Sequence, residues 1–270
     1  MPKMNKIKID AYDLLKKVRI NKPVIHHLTN WVTIYDCANV VKVLGASPVM
    51  AHAKEEVADM AKIASSLVLN IGTLTVDFIE SMKIAAGSAN EKGIPVILDV
   101  CGAGATGLRD TKSFELLDAV KIDIVKGNAS EIARVSGEMV LTKGVDASEV
   151  NKDMIEVAKG LASKRNCTVV VTGKEDIVTD GEKLYLIKNG HPMMSNIVGT
   201  GCMASSVIGT FSAVEKDLTL AATAGLVCFE IAAECAIKKS SGPGTFKEQL
   251  YDCLYHLDKK TINNMQKVEG

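Results

Sequence analysis

Two hydrophobic rhythms alternate along this chain, and their order predicts its architecture. Segments with apolar residues every three or four positions read as helices, and short β-branched runs between them read as strands. Strands fall at 24–28, 47–50, 67–71, 95–100 and 122–125, with helices at 33–44, 55–65, 76–91 and 113–119 between them. Gly45 closes the first of these helices, and Gly93-Ile94-Pro95 stops a helix and starts a strand. A further helix at 154–163 leads into three β runs at 168–171, 176–179 and 184–187, the last two joined by the hairpin pair Asp180-Gly181. Alternation of this kind builds an α/β fold on a mostly parallel sheet, to which the closing meander adds an antiparallel edge. The remainder is alanine-rich helix. Its most apolar stretch, 221–237, contains Glu230 and Glu234 and therefore reads as a buried helix, not a membrane span. Cys228 and Cys235 lie two turns apart on one face of it and are expected in the core.

Composition narrows the function. The 270 residues are 47% apolar, enough for a sizeable core, and no Pro/Ser-rich or charged tract marks a linker, so a single domain over 1–270 is expected. Lys and Arg total 32 and are balanced by 32 Asp and Glu, which argues against a nucleic-acid surface or attachment to an anionic membrane and leaves a small-molecule partner. The N-terminal segment is charged, without the apolar centre of a signal peptide. Seven cysteines with no C-x-x-C pair describe neither a disulfide framework nor a zinc site, and point to a reducing, cytoplasmic compartment. The five histidines do not fall at ligand spacing on a helix; His26 and His27 face opposite sides of a strand.

Ligands of open α/β sheets sit outside the carboxyl ends of the strands, so the residues just after each strand are the candidates for chemistry. Four such places stand out. Asp99 ends an apolar strand and precedes Gly102-Ala103-Gly104-Ala105-Thr106-Gly107, which satisfies G-x-G-x-x-G. The dinucleotide fingerprint also needs an acidic residue near the end of the next strand, where this chain has Lys126, so the hexapeptide reads equally as a phosphate loop or a packing turn. At Lys126-Gly127-Asn128-Ala129-Ser130-Glu131, Asn128 and Glu131 have capping-box spacing, and Glu131 is also placed to order water on a magnesium ion. Thr172-Gly173 offers a hydroxyl and a bare N–H to a phosphate, or simply begins a turn. Gly199-Thr200-Gly201-Cys202 opens a helix whose unpaired N–H groups attract an anion and whose positive end draws the Cys202 thiol toward thiolate. Taken alone, the last is as readily a glycine turn with a buried cysteine.

Together these residues resemble the hydroxyethylthiazole kinases of the ribokinase-like superfamily, over nearly the whole chain. His26-His27-Leu28-Thr29-Asn30-Trp31-Val32 is similar to that family's H-x-x-T-N-x-V segment, and Gly45-Ala46-Ser47-Pro48-Val49-Met50 to its G-A-S-P-x-M. GAGAT at 102–106, the N-x-x-E of Asn128 to Glu131 and the GTGC turn follow in the family's order. The resemblance implies a three-layer α/β/α fold and ATP-dependent phosphorylation of the hydroxyl of 4-methyl-5-(2-hydroxyethyl)thiazole, in thiamine biosynthesis and salvage. It assigns Met50, Gly199 and Asn30 to the substrate, Lys126 and Thr172 to ATP, Asp99 and Glu131 to Mg2+, and Cys202 to the position of the superfamily's catalytic Asp. It further implies a homotrimer with sites between subunits. The chain departs from the pattern in three places: Lys126 stands where Arg is expected, Asp99-Val100-Cys101-Gly102 lacks a proline after the Asp, and Cys37 replaces a Thr.

Three rivals are weighed against this. A ribokinase-like kinase for another small alcohol, such as a hydroxymethylpyrimidine, shares the anion hole, but the Thr29-Asn30 pair and the Ser-Pro-x-Met segment speak against it. An acyl-transfer enzyme with Cys202 as nucleophile needs a partner base that no motif nominates. A non-catalytic ligand sensor differs by lacking Mg·ATP turnover.

Overall fold

The computed structural model describes residues 4–137 and 147–270. In chain order the elements are β1 (Lys6–Ile7), α1 (Ala11–Asn21), β2 (Val24–Leu28), α2 (Ile34–Leu44), β3 (Ser47–Val49), α3 (Val57–Ile63), β4 (Ser66–Asn70) and α4 (Val76–Lys92). There follow β5 (Val96–Asp99), α5 (Gly107–Ala119), β6 (Ile124–Asn128), α6 (Ala129–Ser136), α7 (Ala147–Arg165), β7 (Thr168–Thr172), β8 (Asp176–Thr179) and β9 (Leu184–Ile187). The last part holds α8 (Thr200–Ser212), α9 (Leu218–Ala236), α10 (Pro243–Tyr255), α11 (Lys259–Met265) and β10 (Val268–Glu269).

The ten strands among the described residues join one sheet in the order β1-β10-β9-β8-β7-β6-β5-β4-β2-β3. Pairing is parallel from β3 to β7 and antiparallel from β7 outward to β1. The expected mostly parallel sheet with an antiparallel edge is therefore present. Helices cover both faces, and strand residues alternate between two cores. Val68, Ile97, Ile124 and Val170 pack toward α1, α2, α8, α9 and α10. Leu67, Leu98, Val125 and Val169 pack toward α3, α4 and α7 on the other side. Burial on both faces explains why the parallel strands read as continuous apolar runs.

Several boundaries differ from the sequence reading for identifiable reasons. Helix α5 starts at Gly107, not 113, because Thr106 caps it by accepting the Arg109 N–H at 3.3 Å; the one large apolar residue of its first turn, Leu108, is exposed and begins no apolar stripe. Strand β6 runs on to Asn128 because β7 pairs with it up to Thr172. The short strands β1 and β10, which tie the two ends of the chain together, have too few residues to show a period. Helix α9 is long and apolar enough to cross a membrane by composition, and 78% of its most apolar window is buried within the fold.

Helix α8 carries the candidate cysteine and owes its position to small residues. Ser66 Oγ donates to the Gly209 carbonyl at 2.8 Å, and a Cβ at Gly209 would collide with Val68 Cγ2. Gly209→Ala is therefore expected to destabilise the protein by about 1–3 kcal/mol through overpacking, measured as a lower urea midpoint. An unchanged midpoint would mean that α8 lifts from β4 without cost.

Candidate active site

The parallel strands end in a row of polar residues. In register, Asn70 of β4 stands beside Asp99 of β5, Asp99 beside Lys126 of β6, and Asn128 beside Thr172 of β7. Over this row lies the start of α8. Gly199 precedes it at φ 100°, a left-handed conformation in which a side chain would be strained, and a Cβ there would lie 2.7 Å from Thr33 Cγ2. No side chain caps the helix, so its first N–H groups stay open to a ligand.

A buried hydrogen-bond network holds the row together. Asn30 Nδ2 donates to Asn70 Oδ1 at 3.1 Å and to Cys202 Sγ at 3.0 Å, while its Oδ1 accepts from the N–H and hydroxyl of Thr33. Asn70 Nδ2 donates to Asp99 Oδ2 at 3.0 Å and to Cys202 Sγ at 3.3 Å. Asp99 Oδ2 also accepts from Ser205 Oγ at 2.7 Å and from Lys126 Nζ at 3.3 Å, and the same ammonium reaches the Gly201 carbonyl at 3.1 Å. Asp99 Oδ1, equally buried, has no partner within the protein.

Glu131 and Asn128 form the anticipated capping box on α6. The Glu131 carboxylate accepts from the Asn128 N–H and from the Gly102 N–H, both at 2.7 Å, and so links the loops after β5 and β6. Arg109 fixes the β5 loop from the other side by donating to the carbonyls of Ile71, Gly72 and Cys101. Gly102 and Gly104, at φ 79° and 91°, let this loop turn tightly enough to meet Glu131.

Two cavities adjoin at this edge. The smaller, about 420 Å³, is lined by Asn30, Thr33, Asp99, Cys101, Lys126, Glu131 and Cys202 among others. The larger, about 670 Å³, runs from Thr172 and Gly173 to Gly190, Ala204, Leu226 and Phe229, with Lys174 and Lys188 on its wall. Thr172 and Gly201 line both. The buried carboxyls of Asp176 and Glu230 line the larger cavity, and burial pushes both up. Lys126, whose charge was expected to serve a nucleotide, lines the smaller cavity and donates to the carbonyl of Gly201, which lines both.

Two amides, of Asn30 and Asn70, donate to Cys202 Sγ and so favour its thiolate. Hydrogen bonding from Cys101 lowers its thiol to about 6; burial and the Asp99 charge oppose this, while Thr33 and Lys126 assist. Of the eight residues singled out in the sequence, seven converge here: Asn30, Asp99, Lys126, Glu131, Thr172, Gly199 and Cys202. Met50 stands apart. It follows β3, half-buried, and lines neither cavity of its own chain. Asn70, Ser205 and Cys101 were missed by the motifs, although a polar Asn70 ending the apolar run of β4 carries the same signal that marked Asp99.

Comparison with known proteins identifies the family. The model of the hydroxyethylthiazole kinase family fits residues 15–260. The chain belongs to the hydroxyethylthiazole kinase family. A hydroxyethylthiazole kinase of Methanosarcina acetivorans is 53% identical over 255 residues, covering 94% of this chain and 98% of the relative. The solved structure of a hydroxyethylthiazole kinase protein from Pyrococcus horikoshii superposes with a TM-score of 0.89 at 39% identity, covering 96% of this chain and 98% of that one. A ribokinase-like superfamily protein from Enterococcus faecalis, at 12% identity and a TM-score of 0.64 over 93% of this chain and 98% of that one, shares the fold. Membership of the hydroxyethylthiazole kinase family thus extends over almost the full length, and the fold is ribokinase-like.

Proposed function

We propose that this protein is one kinase domain over residues 1–270 that transfers the γ-phosphoryl group of ATP to the hydroxyl of 4-methyl-5-(2-hydroxyethyl)thiazole, in thiamine biosynthesis and salvage. The carrying observation is the setting of Cys202: an anionic sulfur on the first turn of an uncapped helix, facing a cavity that also holds Asp99 and Lys126. Phosphoryl transfer needs alignment and neutralisation of charge more than a strong base. Cys202 takes the proton of the substrate hydroxyl, with Asn30 and Gly199 beside the alcohol. The open N–H groups of the α8 terminus hold the transferring phosphoryl group. In this reading the larger cavity takes the nucleoside part of ATP, and Thr172 and Lys126 meet its phosphates.

The cofactor is Mg2+, held by Asp99 and Glu131. The orphaned, buried Asp99 Oδ1 fits such a role. Among the described residues no group of three or more His, Cys, Asp or Glu is arranged to hold a metal, as expected for an ion that binds through one or two carboxylates and the phosphates of its nucleotide. When bound, Mg2+ neutralises charge on the ATP phosphates.

A homotrimer with sites between subunits is part of the proposal. Trp31, Val32, Tyr35 and Val198 are 46%, 68%, 73% and 71% exposed near the mouth of the smaller cavity, an apolar rim that a neighbouring copy would cover. Met50 then reaches substrate across a subunit boundary. The proposed location is cytoplasmic, on the cysteine pattern.

The test is ADP release from Mg·ATP, with the thiazole alcohol or a hydroxymethylpyrimidine as acceptor. Thiazole-dependent release is expected. Release with the pyrimidine alone would overturn the substrate, and none with either would overturn the kinase.

A further inference from the structure

Asn70, at the end of β4, is 1% exposed and lines neither cavity, yet its side chain meets Cys202. It has no place among the groups that touch substrate, so its part in the reaction runs through a neighbour. A primary amide offers two hydrogens and two acceptor positions, and at Asn70 all four are taken. Its Oδ1 accepts from the Gly72 N–H at 2.8 Å and from Asn30 Nδ2 at 3.1 Å, while its Nδ2 donates to Asp99 Oδ2 at 3.0 Å and to Cys202 Sγ at 3.3 Å. A backbone N–H can only donate, which fixes the sense of the amide. Turned over, it would set Nδ2 against two donors and Oδ1 against a carboxylate and a sulfur. Asn30 is fixed in the same way. Its Oδ1 accepts from the N–H and the hydroxyl of Thr33, which leaves its Nδ2 to face Asn70 Oδ1 and Cys202 Sγ. Sγ is thus met by two N–H groups that cannot exchange their roles.

The support behind Asn70 is equally specific. The Ile71 carbonyl, on the same peptide unit as the Gly72 N–H, accepts from Arg109 Nη1 at 2.9 Å, and the Gly72 carbonyl accepts from Nη2 at 2.7 Å. Arg109 therefore grips this peptide from one edge while Asn70 takes the other. A Cβ at Gly72 would lie 2.9 Å from both Asn30 Nδ2 and Asn70 Oδ1, so glycine is what lets the loop after β4 close on the two amides.

We propose that Asn70 is a positioning residue for Cys202: backed by Gly72 and Arg109, its amide holds Sγ from behind the cavity wall as a hydrogen-bond acceptor, tied through the same nitrogen to Asp99. The kinetic consequence rests on the function proposed above, in which Sγ takes the proton of the substrate hydroxyl; the hydrogen bonds themselves do not depend on it.

The experiment measures thiazole-dependent turnover and the urea midpoint in the full-length wild type, Asn70→Ala, Cys202→Ala and the double variant. Beside these it reads, by peptide mass, the rate at which iodoacetamide labels Cys202 at pH 7. Asn70→Ala is expected to lower kcat about 10- to 10²-fold and to leave KM for the alcohol and for ATP within about twofold, because the amide reaches neither cavity. In the Cys202→Ala background the same substitution is expected to cost less than about threefold, since a residue that acts through the sulfur has nothing left to position. Labelling of Cys202 in Asn70→Ala is expected to slow by about threefold or more, because Sγ keeps one N–H donor in place of two while the cavity that admits the reagent is unaltered. Losses that multiply in the double variant, a raised KM with kcat intact, or labelling as fast as in the wild type would overturn the role and leave Asn70 a tie between strand and loop. Gly72→Ala, which removes no hydrogen-bonding side chain and displaces both amides, carries the same comparison should Asn70→Ala fail to fold. Absence of turnover in the wild type would instead count against the kinase, and the labelling rate would then decide the part of Asn70.

Discussion

Cys202→Ala is expected to lower kcat by about 10²- to 10⁴-fold while leaving the KM for ATP near its wild-type value. The sulfur sits on the first turn of α8 and accepts from the Asn30 and Asn70 amides, whereas the Asp99 carboxylate already serves Lys126, Asn70 and Ser205. Its removal takes away the proposed base but leaves the α8 terminus and the carboxylates of Asp99 and Glu131 in place. The loss is bounded for that reason: alignment and charge neutralisation remain in the variant. A pH profile separates this role from simple positioning. With the Cys202 thiol brought down to about 6, the active form is the thiolate, so kcat/KM falls as pH drops through about 6 and is level above it. Cys202→Asp, with a carboxylate of lower intrinsic pKa, is expected to retain or raise turnover and to move that limb to lower pH. Unchanged turnover in Cys202→Ala would end the assignment of Cys202 as base, as would a well-folded but inactive Cys202→Asp.

Much of this site was legible because one rule, chemistry after strand ends, coincided with strands whose apolar runs were unmistakable. The runs at 24–28 and 184–187 coincide with β2 and β9. Asp99, Lys126, Thr172 and Cys202 were reachable from local sequence, each being the polar residue that breaks or follows an apolar stretch. Asn70 obeys the same rule, yet no motif drew attention to it, and it joins Cys202 to Asp99. Cys101 was visible only as a departure from a pattern. Its place beside the same cavity as Cys202, about a hundred residues on, goes with the loop that Arg109 clamps, a tertiary fact that no local period encodes. Ser205 lies one turn beyond Cys202 in an alanine- and serine-rich helix, where its hydroxyl has the look of a spacer until Asp99 is seen beside it.

Lys126→Met is expected to cost about 3–5 kcal/mol of stability, the usual penalty for breaking a buried ion pair from one side. Lys126 and Asp99 have side chains 5% and 1% exposed, with Nζ and Oδ2 3.3 Å apart. Burial acts to lower the ammonium pKa, but the charges of Asp99, Cys202 and Glu131 outweigh it and hold the group above its ordinary value, so the cation is present throughout the working range. Without it, the Asp99 carboxylate keeps two neutral donors and no countercharge, beside a thiolate that has lost the same cation. The measurement is the urea midpoint, with the m-value unchanged if the variant still unfolds as a unit. Asp99→Asn combined with Lys126→Met leaves no stranded carboxylate and is expected to recover most of the lost stability, while turnover stays low if the Asp99 carboxylate holds Mg2+ as proposed. A single variant within about 0.5 kcal/mol of the wild type would show that Asp99 does not depend on Lys126, leaving the lysine free to serve the nucleotide alone.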